Sequence, residues 1–229
     1  TKGFLSGHSF GNLFLGALAE KLGGFEAAVD YMHTLLGIKG QVIPCTLGLA
    51  QLHAKLKDGT HLEGEEKIDV TDDPKRSPVA NIWIEPNVPA NPRALKAIKT
   101  ADVLIFGPGD FYTSILPTLL VTGMKDALAA STAKKILVCN RTQKPGETHG
   151  MSALDLVTEL ERYAGTHIDL LLANNQNKHT GPYPAIEVPW EELTARETEV
   201  VMADLANEKD GLRLNGTKVA QALATIWTV

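Results

Sequence analysis

The stretch from Gly107 to Ser114, with the sequence GPGDFYTS, combines residue types that suit phosphate binding. It lies between an apolar segment and a helical pattern, which predicts a strand, a loop and a helix in succession. Gly107 and Gly109 would let backbone amides approach a ligand closely, and Thr113 or Ser114 would cap the helix. We therefore expect this loop to bind an anion. Its candidate ligand-binding residues are Gly107, Gly109, Asp110, Tyr112, Thr113 and Ser114.

The helix after this loop is expected from about Ser114 to Ala130. The first amides of a helix have no intrahelical partner and carry partial positive charge, so the amides of Ile115 and Leu116 would face the anion. Pro117 would remove only an amide that is unpaired in any case. An ordinary tight turn with a helix cap is the alternative interpretation.

A second polar loop, NRTQKPGETH, runs from Asn140 to His149 after the next apolar segment. Asn140 stands at the strand end itself and, with Thr142, could hold a sugar or a second phosphate oxygen. Gln143 and Lys144 are interpreted as a solvated connection, so replacing Lys144 is expected to matter little.

The segment from residue 7 to residue 12, GHSFGN, opens the first predicted helix with polar residues. His8 and Asn12 lie one helical turn apart, so both could face the same cleft. The alternative is that Ser9 caps the helix, while His8 has its hydrogen bonds satisfied near the surface and binds no ligand.

No catalytic residue and no metal site are predicted. The other histidines lack metal-ligand spacing, and no Ser, His and Asp set can be assembled from their order in the chain. Asp110 is the one loop carboxylate placed beside the expected phosphate, whereas magnesium usually takes one or two carboxylates plus substrate oxygens. We therefore expect no metal in the ligand-free chain.

Composition excludes several classes of function. The net charge is -5 and the Lys and Arg residues are scattered, so nucleic-acid binding is not expected. The apolar runs are far shorter than a membrane span, and no signal-peptide pattern is present, so we expect a soluble cytoplasmic protein. Cys45 and Cys139 each adjoin an apolar stretch, which indicates strand packing in a reducing compartment.

Apolar strands and amphipathic helices alternate from about residue 101 to residue 175. The segments ADVLIF, KKILVCN and HIDLLLA are predicted strands, and the helix between the last two is expected over 152–164. This order predicts a parallel sheet covered on both faces, with the loops after the strands along one edge. Ligands bind at that edge in such sheets.

The flanking regions differ from this core. Two helices are expected near 7–23 and 25–36, followed by QVIPC, AQLHAKL, a turn at 57–59, THLEGE and KIDV, which together predict an antiparallel hairpin or meander. ANIWIEP is a further strand, and Asn91 and Pro92 mark a helix start. Beyond residue 175 the pattern weakens until a final helix at about 216–227.

Three motifs, in order, resemble one family. GHSFGNLFLGAL is similar to a GHNLGN helix motif, EPNVPANPRALKAIKTADVLIFGPGDFYTSILPTLL to a glycine-proline-glycine segment, and VCNRTQKPGETHGMSALD to an asparagine and PGET loop. The family is the CofD-like one, which unites gluconeogenesis factors with 2-phospho-L-lactate transferases.

The resemblance implies a Rossmann-like three-layer α/β fold with a mostly parallel sheet, residues 1–229 as a single CofD-like domain, and a small antiparallel β insertion at about 40–86. It also implies a homodimer. One kind of member transfers a phospholactyl group to the deazaflavin precursor of coenzyme F420 with Mg²⁺, and the other binds UDP-sugars and supports carbon flux and cell-wall growth. GPGDFYTSILP is closer to the second kind, since the transferases have a sequence nearer GPSNP.

Two departures from the family pattern bear on function. The chain has Ser9 and Phe10 where members usually have Asn and Leu. It also lacks the glycine-rich strand-loop-helix and the acidic DDGG-like segment that members carry toward the amino terminus. We expect those parts to supply much of the nucleotide pocket and the metal-binding carboxylates, so whether this chain is an enzyme is left open.

Overall fold

The computed structural model describes residues 9–69, 73, 75–175, 183–207 and 213–227. Its helices are α1 (Phe10–Leu22), α2 (Phe25–Leu35), α3 (Glu65–Asp69), α4 (Pro92–Thr100), α5 (Met124–Ala130), α6 (Ala153–Ala164), α7 (Trp190–Ala195) and α8 (Gly216–Trp227). Its strands are β1 (Gln51–Leu56), β2 (His61–Glu63), β3 (Val79–Glu85), β4 (Val103–Phe106), β5 (Lys134–Val138), β6 (Leu170–Asn174) and β7 (Glu199–Ala203). A π-helical turn, Phe111–Ile115, and a 3-10 turn, Leu116–Leu119, lie between β4 and α5.

The larger sheet has four strands in the order β4-β5-β6-β7, all parallel. The strands β4, β5 and β6 coincide with the three predicted apolar segments, which confirms the α/β class with a parallel sheet. The fourth strand, β7, was not predicted, because its sequence EVVMA follows a stretch rich in turn formers.

Helices cover both faces of this sheet. Alternate side chains of its central strands point to opposite sides, and each side packs in a different buried cluster. Leu137 and Leu171 belong to the larger buried cluster, which also contains Leu156 of α6. Their neighbours Ile136 and Leu170 belong to a second cluster that includes Val219 of α8. The near-continuous Ile, Leu and Val sequences of β5 and β6 reflect this burial on two sides.

The smaller sheet is antiparallel, in the order β2-β1-β3. Its turn between β1 and β2 has Gly59 at φ +92°, and Asp58 Oδ1 accepts a hydrogen bond from the Thr60 amide at 2.9 Å. Leu52 and Ile82 of this sheet are buried in the same cluster as α6. The predicted antiparallel hairpin is therefore confirmed, and it packs on the core of the parallel sheet.

Several predicted helix boundaries are confirmed by their caps. Asn91 Oδ1 accepts from the Arg93 amide at 2.9 Å, with Pro92 in the first turn of α4. Ser152 and Asp155 form a reciprocal capping box at the start of α6. Ser9 Oγ accepts from the Asn12 amide at 3.2 Å, so the capping interpretation of Ser9 holds.

Two segments predicted as strands have other structures. QVIPC, residues 41–45, is an irregular segment, and Cys45 is half-buried with its carbonyl accepting from the Asn91 amide at 2.8 Å. The first three residues of KIDV, 67–69, lie in α3, because Gly64 ends β2 at φ +97° and Glu65 and Glu66 favour a helix start. Cys139, by contrast, follows β5 and is buried, and that burial raises its pKa to about 12.

The helices α1 and α2 leave large apolar side chains in contact with solvent. Phe10, Phe25 and Leu35 are exposed, and no residue of α1 is buried. Across the described ranges, no helix combines the length and the apolar character needed to span a membrane.

Candidate functional site

A cleft of about 590 Å³ opens where β4 and β5 end. The loops after these neighbouring parallel strands form two of its walls, as expected for the carboxyl edge of an open sheet. Asn140 Nδ2 donates to the Gly109 carbonyl at 2.8 Å and so holds the two loops together. The predicted residues that line the cleft are Gly109, Asp110, Ser114, Asn140 and Thr142.

The remaining predicted residues lie elsewhere. Gly107, at φ +83°, packs against β5, where an added Cβ would lie 3.2 Å from the Val138 carbonyl oxygen. Tyr112 and Thr113 are buried beneath the loop. Asn12 is exposed in the first turn of α1. His8 falls outside the described residues.

The α-helix expected over 114–130 is confirmed only in its second part, as α5, and its predicted start at Ser114 was wrong because π-helical and 3-10 turns cover 111–119. Asp110 precedes the π-helical turn, and its carbonyl accepts from the Ser114 and Ile115 amides at 2.8 and 3.0 Å. The Leu116 amide bonds to the Phe111 carbonyl. The amides of Ile115 and Leu116 are therefore paired within the turns, because helical hydrogen bonding starts at Phe111 rather than at Ser114.

Three carboxylates meet beside the cleft. One oxygen from each of Asp69, Asp110 and Glu147 lies within 4.8 Å of the others, although the residues come from α3 and from the loops after β4 and β5. We call these three residues the acidic cluster. No motif pointed to this cluster, because Asp69 lies in α3, between β2 and β3 of the antiparallel sheet, 75 positions before Lys144.

Lys144 neutralises part of the acidic cluster. Its Nζ lies 2.9 Å from Asp110 Oδ2 and 3.0 Å from Glu147 Oε1, and it also pairs with Asp69. Burial opposes the charge of Lys144, but the hydrogen bonds and charges of the three carboxylates prevail and raise its pKa. The interpretation of Lys144 as a solvated connection was therefore wrong.

Glu147 is the deepest member of the cluster and is 2% exposed. Its Oε2 accepts from the Tyr112 amide at 2.7 Å, and its Oε1 accepts from the Thr113 hydroxyl at 3.2 Å. Burial raises the pKa of Glu147, and the charge of Lys144 only partly offsets this effect. The Thr113 hydroxyl, expected to donate to an anion, thus has a carboxylate acceptor in this structure.

Arg76 fixes the end of α3, the helix that carries Asp69. Its guanidinium donates to the Lys67 carbonyl at 2.9 Å and also to the carbonyls of Ile68 and Gly146. These bonds tie the end of α3 to the loop that carries Glu147. Burial opposes ionisation of Asp69, but the hydrogen bond and charge of Lys144 outweigh it and lower its pKa.

The cleft also contains three cationic side chains, which come from Arg141, Lys144 and Arg213. Arg141 and Lys144 belong to one loop, but Arg213 lies far along the chain from them, so the sequence did not show that the three cations share one cleft. Guanidinium groups bind phosphate oxygens in pairs, and Lys binds them as a point charge. The chemistry of the cleft is therefore that of a site for a polar anion next to an acidic cluster.

The acidic cluster fits Mg²⁺ in ligand type, since hard divalent cations prefer carboxylate oxygens. The three side chains offer one oxygen each at mutually compatible distances. The ammonium group of Lys144 occupies the space between them and would have to move away.

The cleft lies at the carboxyl edge of a parallel sheet, and a set of carboxylates lies beside it. This arrangement is typical of α/β proteins that bind ligands at the carboxyl ends of adjacent strands. The chain belongs to the CofD family, and the family model described as 2-phospho-L-lactate transferase CofD matches residues 1–219. The resemblance drawn from the three sequence motifs is thereby confirmed.

Relatives and solved structures agree with this assignment. A Thermotoga maritima protein named "Putative gluconeogenesis factor" is 41% identical over 176 residues, 77% of this chain and 55% of that protein. The Bacillus subtilis protein named "Gluconeogenesis factor" is 33% identical over 235 residues, 97% of this chain and 72% of that protein. A crystal structure of a UPF0052 family member from Bacillus halodurans matches with a TM-score of 0.87 and 31% identity, covering 97% of this chain and 73% of that one. The chain thus spans about half of the Thermotoga maritima relative and about three quarters of the solved protein.

Proposed function

We propose that the cleft binds a phosphorylated small molecule, with a UDP-sugar as the favoured ligand, and that the chain acts in the manner of a gluconeogenesis factor. The observation that carries this proposal is the convergence of Arg141 and Arg213 on one cleft with the polar groups of Ser114 and Asn140, while Lys144 is held by the acidic cluster at its edge. Its role would be regulatory, in carbon metabolism and cell-wall growth.

Charge and size both support this ligand class. A diphosphate carries negative charge that two guanidinium groups can meet with paired hydrogen bonds. The cleft volume of about 590 Å³ lies within the roughly 300–1,000 Å³ usual for small-molecule sites. The amide of Asn140 and the hydroxyls of Ser114 and Thr142 offer hydrogen bonds to a sugar or base.

Ligand-induced stabilisation tests the proposal directly. The melting temperature is measured with UDP-N-acetylglucosamine, UDP, uridine and inorganic phosphate in separate titrations. A ligand at about 100 times its Kd should raise the free energy of unfolding by roughly 2.7 kcal/mol. We expect UDP-N-acetylglucosamine and UDP to stabilise the parent and uridine to have little effect. A response to none of the four would refute the proposal.

A pair of variants locates the binding site. Arg213→Gln removes one charge from the cleft, whereas Lys96→Gln removes one charge from the exposed surface of α4. We expect the first variant to weaken UDP binding at least about tenfold, since hydrogen bonds to charged groups contribute about 1.5–3 kcal/mol. The second should bind like the parent. If the parent and both variants bind UDP with equal affinity, the anion binds outside this cleft.

The acidic cluster favours a second candidate function, a Mg²⁺-dependent transfer of a 2-phospholactyl group in coenzyme F420 biosynthesis. Asp69, Asp110 and Glu147 would hold the cation, which would supply charge neutralisation to the phosphorus-containing group. Lys144, once released from the carboxylates, would be free to turn to the anion in the cleft. Stabilisation by a deazaflavin together with Mg²⁺, with no response to UDP, would favour this function over the first.

We also propose a homodimer formed through the exposed apolar side chains of α1 and α2. Phe10, Leu22, Phe25 and Tyr31 are all exposed in the single chain. Light scattering on the purified protein tests this assembly: the parent should have twice the mass of one chain, and Phe10→Glu should shift the equilibrium to single chains. A parent that stays a single chain at all concentrations would contradict it.

A further inference from the structure

The outer face of the antiparallel sheet carries a cluster of three rings that the cleft does not use. His53 of β1, His61 of β2 and Trp83 of β3 lie with ring centroids 5.2 to 5.5 Å apart and planes within 20° of parallel. The register places them together, since His53 pairs with Trp83, and His61 pairs with Lys55, two residues further along β1. Residues two apart in a strand share a face.

Two imidazole nitrogens in this cluster point at each other. His53 Nδ1 lies 3.1 Å from His61 Nε2. Two nitrogens bound to one tetrahedral zinc ion at about 2.0–2.1 Å each would be about 3.3 Å apart. A metal ion that binds both nitrogens would replace the hydrogen bond between the two rings, and both rings would turn so that their lone pairs meet at the ion. His61 is exposed, so an ion can reach the pair from solvent.

A carboxylate stands behind the buried histidine. Glu85 Oε2 lies 4.0 Å from His53 Nε2, and Trp83 Nε1 donates to Glu85 Oε1 at 2.7 Å, which holds that carboxylate in position. A carboxylate next to Nε2 favours the tautomer with the proton on Nε2, so the lone pair of His53 Nδ1 faces His61. Histidine ligands in metal sites usually donate their other N–H to a carboxylate, a bond that Glu85 would make by closing the present 4.0 Å gap.

We propose that His53 and His61 form a binding site for one divalent transition-metal ion of the kind that imidazole prefers, namely Zn²⁺, Ni²⁺ or Cu²⁺. Glu85 and Trp83 orient the His53 ligand, and water completes the coordination. Glu63 pairs with His53 in the sheet register, so its carboxylate can supply a third protein ligand after a side-chain rotation. The bound ion would fasten the short strand β2 to β1. Mg²⁺ would not bind here, because it requires oxygen ligands.

Calorimetric titration of tag-free protein with ZnCl2 at pH 7.5 tests the site, with excess Mg²⁺ present to saturate any carboxylate site. We expect one high-affinity Zn²⁺ per chain. His61→Gln, which keeps a polar side chain on the exposed strand, should weaken this binding more than about tenfold, and Glu85→Gln should weaken it about tenfold through the orientation of His53. His33→Gln, a change at a histidine on α2, should leave the affinity unchanged.

The fluorescence of Trp83 supplies a second readout that does not depend on heat. Trp83 is one of three tryptophans and lies 5.2 Å from the His61 ring, so bound Cu²⁺ should quench the Trp83 share of the emission in the parent and in His33→Gln but not in His61→Gln. Circular dichroism establishes that each variant is folded. The proposal is overturned if the parent binds no Zn²⁺, or if folded His61→Gln binds Zn²⁺ and loses fluorescence with Cu²⁺ just as the parent does.

Discussion

Lys144 Nζ lies 2.9 Å from Asp110 Oδ2, and this ion pair joins the loop after β5 to the loop after β4. The same ammonium reaches Glu147, whose side chain is inaccessible to solvent. Removing Lys144 would leave three carboxylates close together without their shared cation. The pair therefore stabilises the wall of the cleft as well as supplying a charge to it.

The first prediction concerns the stability that Lys144 provides. Lys144→Gln should lower the free energy of unfolding by about 2–3 kcal/mol, because it leaves buried carboxylate charge uncompensated. Lys134→Gln breaks an exposed pair with Glu199 at 3.0 Å and should cost no more than about 0.5 kcal/mol. Urea denaturation of the three proteins measures both values. If Lys144→Gln loses no more unfolding free energy than Lys134→Gln, the acidic cluster does not need the Lys144 cation for stability.

The second prediction concerns the pH dependence contributed by Asp69. The folded pKa of Asp69 is lowered below the unfolded value, so its contribution to stability is present above the unfolded pKa of about 3.9 and is lost as the pH falls through the folded pKa. The difference in stability between the parent and Asp69→Asn should thus be largest near neutral pH and shrink below about pH 4. Asp126→Asn, at an exposed site on α5, serves as the control. A difference that grows on acidification would have the wrong sign.

The sequence predicted the parallel core well because its signals are local. Unbroken Ile, Leu and Val segments mark β5 and β6, and the caps at Asn91 and Ser152 mark the helices between strands. The strand β7 escaped prediction because the residues before it, from 176 to 189, are rich in turn formers. The helix expected from Ser114 failed because propensity does not distinguish a π-helical turn from the first turn of an α-helix.

The candidate site was predictable in part. Gly109, Asp110, Ser114, Asn140 and Thr142 follow strands whose ends adjoin in a parallel sheet, so topology alone brought them to the cleft. The acidic cluster was not predictable, because Asp69 reaches Glu147 only through the packing of α3, and no spacing rule connects these positions. Lys144 was misjudged for the same reason, since two of its three partners, Asp69 and Asp110, come from distant parts of the chain.

The third prediction concerns the contact between the antiparallel sheet and α6. The Tyr163 hydroxyl accepts from the Ile82 amide at 2.8 Å and donates to Asn81 Oδ1 at 3.2 Å. Tyr163→Phe should destabilise the fold by about 1–2 kcal/mol, because it leaves an amide of β3 without its acceptor. Tyr183→Phe, at an exposed ring away from the antiparallel sheet, should change stability little. Thermal unfolding compares the variants, and equal melting temperatures would mean that water replaces the hydroxyl.

The fourth prediction concerns Gly109 and the binding of the anion. An added Cβ at Gly109 would lie 3.3 Å from Ser114 Cβ, which is a tight contact, and the branches of valine would extend further into the space that the cleft offers to a ligand. The φ angle of Gly109 lies outside the left-handed region, so valine should be tolerated by the backbone there. Gly109→Val should therefore fold, yet bind UDP-N-acetylglucosamine at least about tenfold more weakly, a loss of roughly 1.4 kcal/mol.

A matched change at Gly16, where an added Cβ meets nothing within 4 Å, separates a local effect on the cleft from a general effect of a larger side chain. Gly16→Val lies within α1, and its affinity for the nucleotide sugar should equal that of the parent. Calorimetric titration of the parent and both variants gives the three dissociation constants. If Gly109→Val binds as tightly as Gly16→Val, the loop from Gly107 to Ser114 is only a turn, and the anion is held by another part of the protein.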